Sequence, residues 1–339
     1  MAESLASKYR PSEWEEVCGQ ESIVRILTRQ LELDEIKNCL LFCGLTGSGK
    51  TTLAKLLAKK INKGVGEPIE IDAASNNGVE NVRELISAAN ERAIDGKYKI
   101  IILDECHALS NQAWQALLKC IEEPPKYTIF IFCTTDPQKI PDTIKNRVQI
   151  YRFSRISVDK IKERLSYICR CEGFSNYEES IDYLAKLGEG SMRTAISYLE
   201  KAASYSTDLA IQNTLASLGN YSYEIFFDLA NGLIDGDEGK VLKIISDFYD
   251  AGNDLKLMID QFINFCLDLT KYAIFKSTES LRIPSSFEDK LQYTTNMDTA
   301  DKYFMYVVDK LLELKIMLKA DDSPRSTIEI IFLQVARCM

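Results

Sequence analysis

The sequence contains a single histidine, His107, among 339 residues. That scarcity excludes any mechanism that needs two histidines, and it excludes a histidine-rich metal site. Basic residues are also relatively few: the sequence has 41 lysines and arginines against 50 aspartates and glutamates, and its formal net charge is −9. Such a balance argues against a protein that coats nucleic acid through bulk charge, although it is compatible with a local basic face.

Long hydrophobic runs are missing as well. No stretch is long enough to span a bilayer, and the N-terminus Met1-Ala2-Glu3-Ser4 does not begin a secretory signal. We therefore expect a cytoplasmic protein without a membrane partner. The composition, 46% hydrophobic and 27% charged, is ordinary for globular proteins, and the length predicts two or three domains.

The ten cysteines do not form paired C-x-x-C elements with zinc spacing. The nearest approach is Cys169-Arg170-Cys171, which has no second pair nearby. Since structural zinc needs four suitably spaced ligands, no zinc is expected. Cysteines within apolar runs are instead predicted to be reduced and buried; these are Cys39, Cys43, Cys120, Cys133 and Cys266.

The most informative stretch that is present is Gly44-Leu45-Thr46-Gly47-Ser48-Gly49-Lys50-Thr51, which fits the phosphate-binding pattern G-x-x-x-x-G-K-[ST]. It follows an apolar run at 39–43 and precedes a helical run at 52–61. The glycines allow successive N–H groups to point at phosphate oxygens, and a helix N-terminus adds positive charge. We predict that the loop and Thr52 bind ATP, that Lys50 contacts the β- and γ-phosphates, and that the Thr51 hydroxyl ligates Mg²⁺. The alternative is a plain glycine-rich turn.

Two acidic residues end the most apolar strand. Ile100-Ile101-Ile102-Leu103 is continuously apolar, which suits a central parallel strand, and Asp104-Glu105 follows it directly. We predict that Asp104 holds Mg²⁺ through water and that Glu105 orients or deprotonates an attacking water. A further apolar strand, 128–133, ends in Thr134-Thr135, where a polar side chain can sense a γ-phosphate.

The order of strand and helix patterns predicts the architecture. Strands alternate with helices up to residue 153, which predicts a mostly parallel, doubly wound α/β sheet. Strand signals vanish from Ser154 onward. We therefore predict an α/β domain at 1–153 and two all-α domains, at 154–219 and 220–339.

An extended arm precedes the first long helix. Tyr9-Arg10-Pro11 places an aromatic and a cation in a segment that avoids helix, because the residue before proline disfavours that conformation. We predict that Tyr9, Arg10 and Val17 clasp the adenine base of ATP. The alternative is an N-terminal arm that only packs on the core.

Taken together, these motifs resemble the AAA+ clamp-loader ATPases, and most of all the bacterial DNA polymerase III gamma/tau family. The resemblance covers nearly the whole chain, and the order and spacing of its pieces are more specific than any one piece. Besides 44–51, the matching pieces are Lys8-Tyr9-Arg10-Pro11, Val17-Cys18-Gly19-Gln20-Glu21, 70–76, Asp104-Glu105-Cys106-His107, Ala116-Leu117-Leu118-Lys119, 122–125, 134–141 and Gly190-Ser191-Met192-Arg193.

The resemblance implies roles for three further residues. Thr135 corresponds to the sensor 1 residue, with Thr134 as the neighbouring candidate. Arg193 corresponds to the sensor 2 arginine, which reaches from a helical lid to the γ-phosphate of its own ATP. Arg147 stands where the family has an arginine that acts in trans on the ATP of the adjacent subunit. The alternatives are an ordinary surface ion pair for Arg147 and a helix-start arginine without a ligand for Arg193.

The chain departs from the family pattern in three places. Asn146-Arg147-Val148 replaces a Ser-Arg-Cys triplet. Only 62–68 lies where bacterial members carry a four-cysteine zinc module, so the resemblance implies no zinc here. The sequence ends after the second helical domain, so we expect the tau-type extension to be absent.

The resemblance thus implies a hydrolysing motor subunit of a clamp loader, which opens a sliding clamp and places it on primer–template DNA. Its partners are then other loader subunits, in a homo- or hetero-pentamer joined through a C-terminal collar. For DNA contact we favour Asn76, Arg83 and Asn111, near two helix starts, although these are equally interpretable as solvated caps. The rivals are a related AAA+ replication-fork maintenance ATPase, a non-hydrolysing scaffold subunit and a helicase, which normally needs a second sheet domain.

Overall fold

The computed structural model describes residues 3–93, 95–319 and 324–338; Met1 and Ala2, used above to interpret the N-terminus, lie outside these ranges. Five strands form one parallel sheet in the order β2-β3-β4-β1-β5. Every residue of β1 and β4 is buried, as expected for central strands that are covered on both faces. The predicted α/β fold is therefore confirmed; its strands are β1 (Cys39–Cys43), β2 (Ile69–Asp72), β3 (Lys99–Asp104), β4 (Thr128–Thr134) and β5 (Gln149–Arg152).

Helices cover both faces of this sheet. Successive strand residues point to opposite faces, so that Phe42 packs in one core cluster and Leu41 in the other. The Phe42 cluster includes Leu27 and Leu53 from two helices, and the Leu41 cluster includes Trp114 from a third. The helices of this region are α1 (Leu5–Lys8), α2 (Glu21–Glu32), α3 (Lys50–Ile61), α4 (Val79–Asn90), α5 (Asn111–Glu122) and α6 (Asp142–Lys145).

The register of the strands brings three polar turns to one edge of the sheet. Asp104 lies opposite Asp72 in the β2–β3 pair, and Cys43 lies opposite Thr134 in the β1–β4 pair. The carboxyl ends of β1, β3 and β4 therefore meet at the same edge. In open α/β sheets this is the edge where ligands bind.

The described residues after Ser154 are helical, as predicted. Within 154–319 and 324–338 the only strand pairing is an isolated bridge between Ser175 and Asp208. Two short helices, Ile211–Leu218 and Glu288–Thr294, were not expected from the apolar pattern, because fewer than three turns give it little room to repeat. The helices are α7 (Val158–Glu172), α8 (Glu178–Leu187), α9 (Met192–Tyr205), α10 (Ile211–Leu218), α11 (Tyr223–Ile234), α12 (Glu238–Asp250), α13 (Leu255–Phe275), α14 (Glu288–Thr294), α15 (Ala300–Met317) and α16 (Pro324–Ala336).

By packing, the described residues divide into two compact units. The first contains the residues up to Ile168 together with Gly188–Glu200, and hence the sheet and the start of α9. The second contains Cys169–Leu187 and the residues from Lys201 onward. The predicted division into three domains, with boundaries at 153/154 and 219/220, is not tested by these two units and stays a prediction.

Aromatic side chains hold the second unit together. The ring centroid of Phe265 on α13 lies 4.9 Å from that of Phe227 and 5.6 Å from that of Phe226, both on α11. Phe262, one turn earlier on α13, meets Phe332 of α16 at 5.8 Å. Such edge-to-face and tilted ring contacts add about 0.5–1.5 kcal/mol each beyond the area they bury. None of the helices described here has the length and apolar character needed to cross a membrane.

The cysteines that were predicted to be buried are buried. Cys39, Cys43, Cys120, Cys133 and Cys266 all lie in the interior as free thiols. Burial raises the pKa of Cys39 to about 12 and raises that of Cys133 well above its ordinary value. These thiols therefore behave as small apolar side chains rather than as nucleophiles.

Candidate nucleotide-binding site

The glycine-rich loop leaves β1 and ends at the first turn of α3. Gly47 and Gly49 adopt positive φ angles of 73° and 98°, which side-chain-bearing residues rarely reach. The N–H groups of Thr46, Gly47 and Gly49 have no acceptor among the residues that the structure describes. The buried hydroxyl of Ser48 likewise has no partner there. Orphaned donors at a helix N-terminus are the arrangement that binds phosphate.

Lys50 is 5% exposed, and its ammonium group lies inside the loop. Its Nζ donates to the carbonyl oxygens of Gly44 at 2.8 Å and Leu45 at 2.9 Å. Burial lowers the pKa of this ammonium group, and the negative charges of Glu105 and Asp104 act in the opposite direction. The partly desolvated ammonium group of Lys50 therefore lies next to the free N–H groups of the loop.

Thr51 and Asp104 meet although 53 positions separate them. The Thr51 hydroxyl donates to Asp104 Oδ2 at 2.7 Å, and Asp104 Oδ1 accepts from the N–H of Glu105 at 3.0 Å. A hydroxyl and a carboxylate are ligands that suit Mg²⁺, which usually takes few protein ligands and completes its shell with water and phosphate. Within the described ranges, this site included, no group of three or more histidine, cysteine or acidic side chains is placed to hold a metal.

Glu105 is held in an unusual backbone conformation. Its φ angle is +46°, a strained value for a residue with a side chain. Its Oε2 accepts from the Thr135 hydroxyl at 2.9 Å and lies 3.2 Å from His107 Nδ1. His107 Nδ1 also lies 3.2 Å from the Thr134 hydroxyl. Thr135 therefore contacts Glu105 directly, whereas Thr134 contacts His107, which joins a site to which the sequence had not assigned it.

A cavity of about 270 Å³ opens above the loop. Tyr9, Arg10 and Val17 line it, and Arg10 Nε donates to Thr52 Oγ1 at 3.3 Å. Their contact with an adenine base stays a prediction. Sequence reasoning assigned no role to several other lining residues. Cys18 and Met192 lie in motifs that carry the family resemblance, Ile156 lies in the segment before α7, and Arg164 and Ile196 lie in helices without a local motif.

The start of α9 lies directly against the loop. Arg193 lines the cavity, and the Met192 N–H donates to the Gly47 carbonyl at 3.2 Å. A Cβ atom on Gly47 would collide with Ser191 Oγ and would lie 3.1 Å from Arg193 Cβ. The structure therefore places Arg193 at the predicted site, through a contact that spans more than 140 residues of sequence.

Arg147 is not brought into this cavity. Its Nη2 pairs with Glu122 Oε1 at 2.6 Å, and its Nη1 donates to the Thr143 carbonyl at 2.7 Å. The side chain is 38% exposed. The surface ion pair that was considered as an alternative for Arg147 is thus present, and a role in trans stays a prediction.

The candidate DNA-contacting residues are only partly brought together. Arg83 and Asn111 line a shallow groove between α4 and α5, and the Ser110 N–H donates to the Asn77 carbonyl at 3.3 Å to hold the two helix starts side by side. Asn76 lies outside this groove, where its Nδ2 donates to the Asp72 carbonyl at 3.0 Å. The Asn76 side chain therefore already serves the local turn.

The close contact at Gly47 predicts a stability effect. Gly47→Ala adds a Cβ to a left-handed residue that touches Ser191 and Arg193, whereas Gly64→Ala adds one in open space at a similar φ of 81°. Both changes incur left-handed strain, and Gly47→Ala is expected to lower the free energy of unfolding by a further ~1–3 kcal/mol through overpacking. Trp14 and Trp114 both belong to the first unit, so tryptophan fluorescence in urea measures the difference. Equal losses in the two variants would contradict the close contact.

Comparison with known proteins gives consistent matches. The family model for the DNA polymerase III delta subunit matches residues 66–157, and the model for domain III of the DNA polymerase III gamma and tau subunits matches residues 209–299. DNA polymerase III subunit tau of Bacillus subtilis is 31% identical over 99% of this chain and 63% of its own length. DNA polymerase III subunit gamma of Buchnera aphidicola subsp. Schizaphis graminum is 31% identical over 80% of each chain.

A solved structure shares the fold at lower identity. The Thermotoga maritima RuvB Holliday junction branch migration motor aligns with a TM-score of 0.54 and 18% identity, over 67% of this chain and 80% of that one. The chain spans between about half and two thirds of the length of the first curated relatives it matches.

The parallel sheet, the loop between β1 and α3, and the acids that end β3 define a P-loop protein of the AAA+ fold class. Within that class, the matches narrow the assignment further. The chain belongs to the DNA polymerase III gamma/tau family.

Proposed function

We propose that this chain is the ATP-hydrolysing motor subunit of a DNA polymerase clamp loader, which opens a sliding clamp and places it on primer–template DNA during replication. The observation that carries the proposal is the 2.7 Å contact of the Thr51 hydroxyl with Asp104, whose second carboxylate oxygen accepts from the Glu105 N–H. It joins the two halves of a nucleotide-hydrolysing site at one sheet edge. Relatives named as DNA polymerase III subunits support the replication role.

The residues present fit ATP and Mg²⁺. The unpaired N–H groups of the loop and the orphaned Ser48 hydroxyl supply donors, and Lys50 supplies positive charge. Thr51 and Asp104 would hold Mg²⁺, and Tyr9, Arg10 and Val17 would hold the base. When bound, Mg²⁺ supplies positive charge that stabilises developing charge on the phosphates.

The remaining side chains have separate roles in hydrolysis. Glu105 accepts a proton from the attacking water, and the Thr135 hydroxyl fixes the orientation of that carboxylate, which supports a sensor role. Arg193 adds positive charge to its own site from the start of α9. Arg147 acts on the neighbouring subunit's ATP, and the exposure of its pair with Glu122 leaves the guanidinium accessible to a partner.

Assembly follows the family pattern in this proposal. We infer a nucleotide-binding domain at 1–153, a lid at 154–219 and a collar at 220–339 that joins this chain to other loader subunits in a pentamer. The match of residues 209–299 to domain III of gamma and tau supports the collar. The aromatic core of the second unit gives that region a hydrophobic centre of its own.

DNA contact is proposed at the groove between α4 and α5, where two helix N-termini present backbone donors to phosphate. Combining Arg83→Ala with Asn111→Ala is expected to weaken DNA binding. The slope of the logarithm of the binding constant against the logarithm of the salt concentration should become shallower by about one, since one cation is lost. Arg25→Ala, an exposed change on α2, serves as the control. DNA-stimulated ATPase activity that is unchanged in the double variant would exclude this surface.

The proposed function is tested by purifying the chain together with the sliding clamp from the same genome. ATPase activity is then measured alone, with clamp, with primed DNA, and with both. We expect the highest rate with clamp and primed DNA together. No stimulation by the pair overturns the proposal; stimulation by DNA without clamp would indicate a fork-maintenance ATPase, and clamp loading without hydrolysis would indicate a scaffold subunit.

A further inference from the structure

Gln20 is a buried polar residue whose position is not explained by its own helix. It is 4% exposed and occupies the N-cap position of α2, but its side chain makes no capping hydrogen bond. Glutamine is also not among the residues that N-cap positions prefer. The hydrogen-bond partners that explain the burial of this amide group must therefore lie outside α2.

The Gln20 side chain joins two segments that are far apart in the sequence. Its Nε2 donates to the carbonyl of Ser48 at 3.2 Å and to that of Ser154 at 2.9 Å. Its Oε1 accepts from the Ser154 N–H at 3.3 Å. Since carbonyl oxygens only accept, these partners fix the orientation of the amide, and both of its N–H groups are used.

Two backbone hydrogen bonds extend this bridge into a closed circuit. The Ile156 N–H donates to the Gly190 carbonyl at 3.1 Å, and the Met192 N–H donates to the Gly47 carbonyl at 3.2 Å. The segments 47–48, 154–156 and 190–192 are therefore joined pairwise. We call these three segments and Gln20 the loop circuit.

Close backbone approaches keep the loop circuit tight. A Cβ on Gly19 would lie 3.1 Å from Ile156 Cγ2, and one on Gly190 would lie 2.7 Å from Arg155 Cβ. Both glycines also have positive φ angles, of 75° and 87°. Because these two glycines lack a Cβ, the segments around Gln20 can approach closely, and a side chain at either position would push them apart.

We propose that Gln20 is a positioning residue that places Arg193 over the phosphate-binding loop. Arg193 follows the third segment of the loop circuit directly, so a loop held against 154–156 also fixes where α9 starts. Among the described residues that line the cavity, Gln20 is absent, and it acts through the loop circuit instead. The inference rests on the role proposed for Arg193 in sensing the γ-phosphate.

The first test uses the full chain without nucleotide. Gln20→Met keeps the volume and removes the hydrogen bonds. Hydrogen–deuterium exchange of the Ile156 and Met192 amides is expected to become about tenfold faster, because their acceptors lose their support. Gln30→Met is the matched control, since Gln30 on the same helix also bridges to distant residues, with Tyr151 donating to its Oε1 at 2.7 Å, but away from the loop.

The second test separates positioning from general support of the loop. ATP and ADP affinities are measured by calorimetry for the wild type, Gln20→Met, Arg193→Ala and the double variant. Gln20→Met is expected to reduce the preference for ATP over ADP by about tenfold when Arg193 is present, and by less than twofold when it is absent. Arg193→Ala alone reports on the proposed role of Arg193, so its failure is distinguished from failure of the Gln20 inference.

Three outcomes would overturn the inference. Unchanged amide exchange would show that Gln20 does not support the loop circuit. Equal loss of ATP and ADP affinity in both arginine backgrounds would show that Gln20 only shapes the loop. If Gln20→Met and Gln20→Glu both fail to fold while Gln30→Met folds, the role of Gln20 is structural and not one of positioning Arg193.

Discussion

Lys50→Met is expected to reduce ATP hydrolysis by about 10²–10³-fold and to weaken nucleotide binding. The buried ammonium is the only charged side chain that donates to the loop carbonyls of Gly44 and Leu45 in the part of the chain that the structure describes. It would move from those carbonyls to the phosphates. Methionine keeps the apolar stem of the side chain and removes the ammonium group, so the loss reports on its charge and its hydrogen bonds together. Steady-state hydrolysis and calorimetric titration with ATP measure the two effects.

The fold is expected to tolerate Lys50→Met. Burial lowers the pKa of this ammonium group, which means that the folded chain holds the charged form at a cost. The variant should therefore unfold within a few degrees of the wild type. Lys59→Met removes an exposed lysine from the same helix and should leave hydrolysis unchanged, since its one ion pair among the described residues is with Glu13. Normal hydrolysis in Lys50→Met would favour a scaffold subunit over a motor.

Glu105→Gln is expected to lower the hydrolysis rate by about 10²–10⁴-fold, because a neutral amide cannot accept the proton of the attacking water. ATP binding should be as tight as in the wild type or tighter, since one negative charge near the phosphates is lost. Single-turnover hydrolysis and equilibrium binding together separate these effects. The side chain keeps its shape, and the Thr135 hydroxyl retains an oxygen acceptor.

The matched control for Glu105→Gln is Glu35→Gln, an exposed carboxylate between α2 and β1. It should change neither rate nor affinity. Equal losses of binding and hydrolysis in Glu105→Gln would indicate that the strained turn at this residue had collapsed. A hydrolysis rate within about tenfold of the wild type would remove Glu105 from the role of general base.

The strands and the phosphate-binding loop were predictable because their signals are local. A run of buried apolar residues such as 100–103 fits only a covered strand or a buried helix, and its short length decides for a strand. The loop 44–51 needs its glycines for its own backbone path, so its residues reveal its shape. The sequence therefore determined the α/β fold, the loop and the order of the motifs along the chain.

Tertiary structure was needed wherever a function depends on a side chain from a distant segment. His107 approaches Glu105 because a short turn folds back beside β4, and the Thr135 contact depends on the register of β3 and β4. The Glu122 pair of Arg147 likewise depends on how α5 and the segment after α6 pack. No local pattern specifies such contacts.

Gln20 shows the same division most clearly. From the sequence it is one polar residue in a family motif before a helix, whereas in the fold its amide meets Ser48 and Ser154, which are 28 and 134 positions away. These contacts form because the loop, the segment after β5 and the start of α9 pack closely together. The sequence determined that a phosphate-binding loop exists; only the fold decided which distant groups hold it in place, because hydrogen bonds form between neighbours in space.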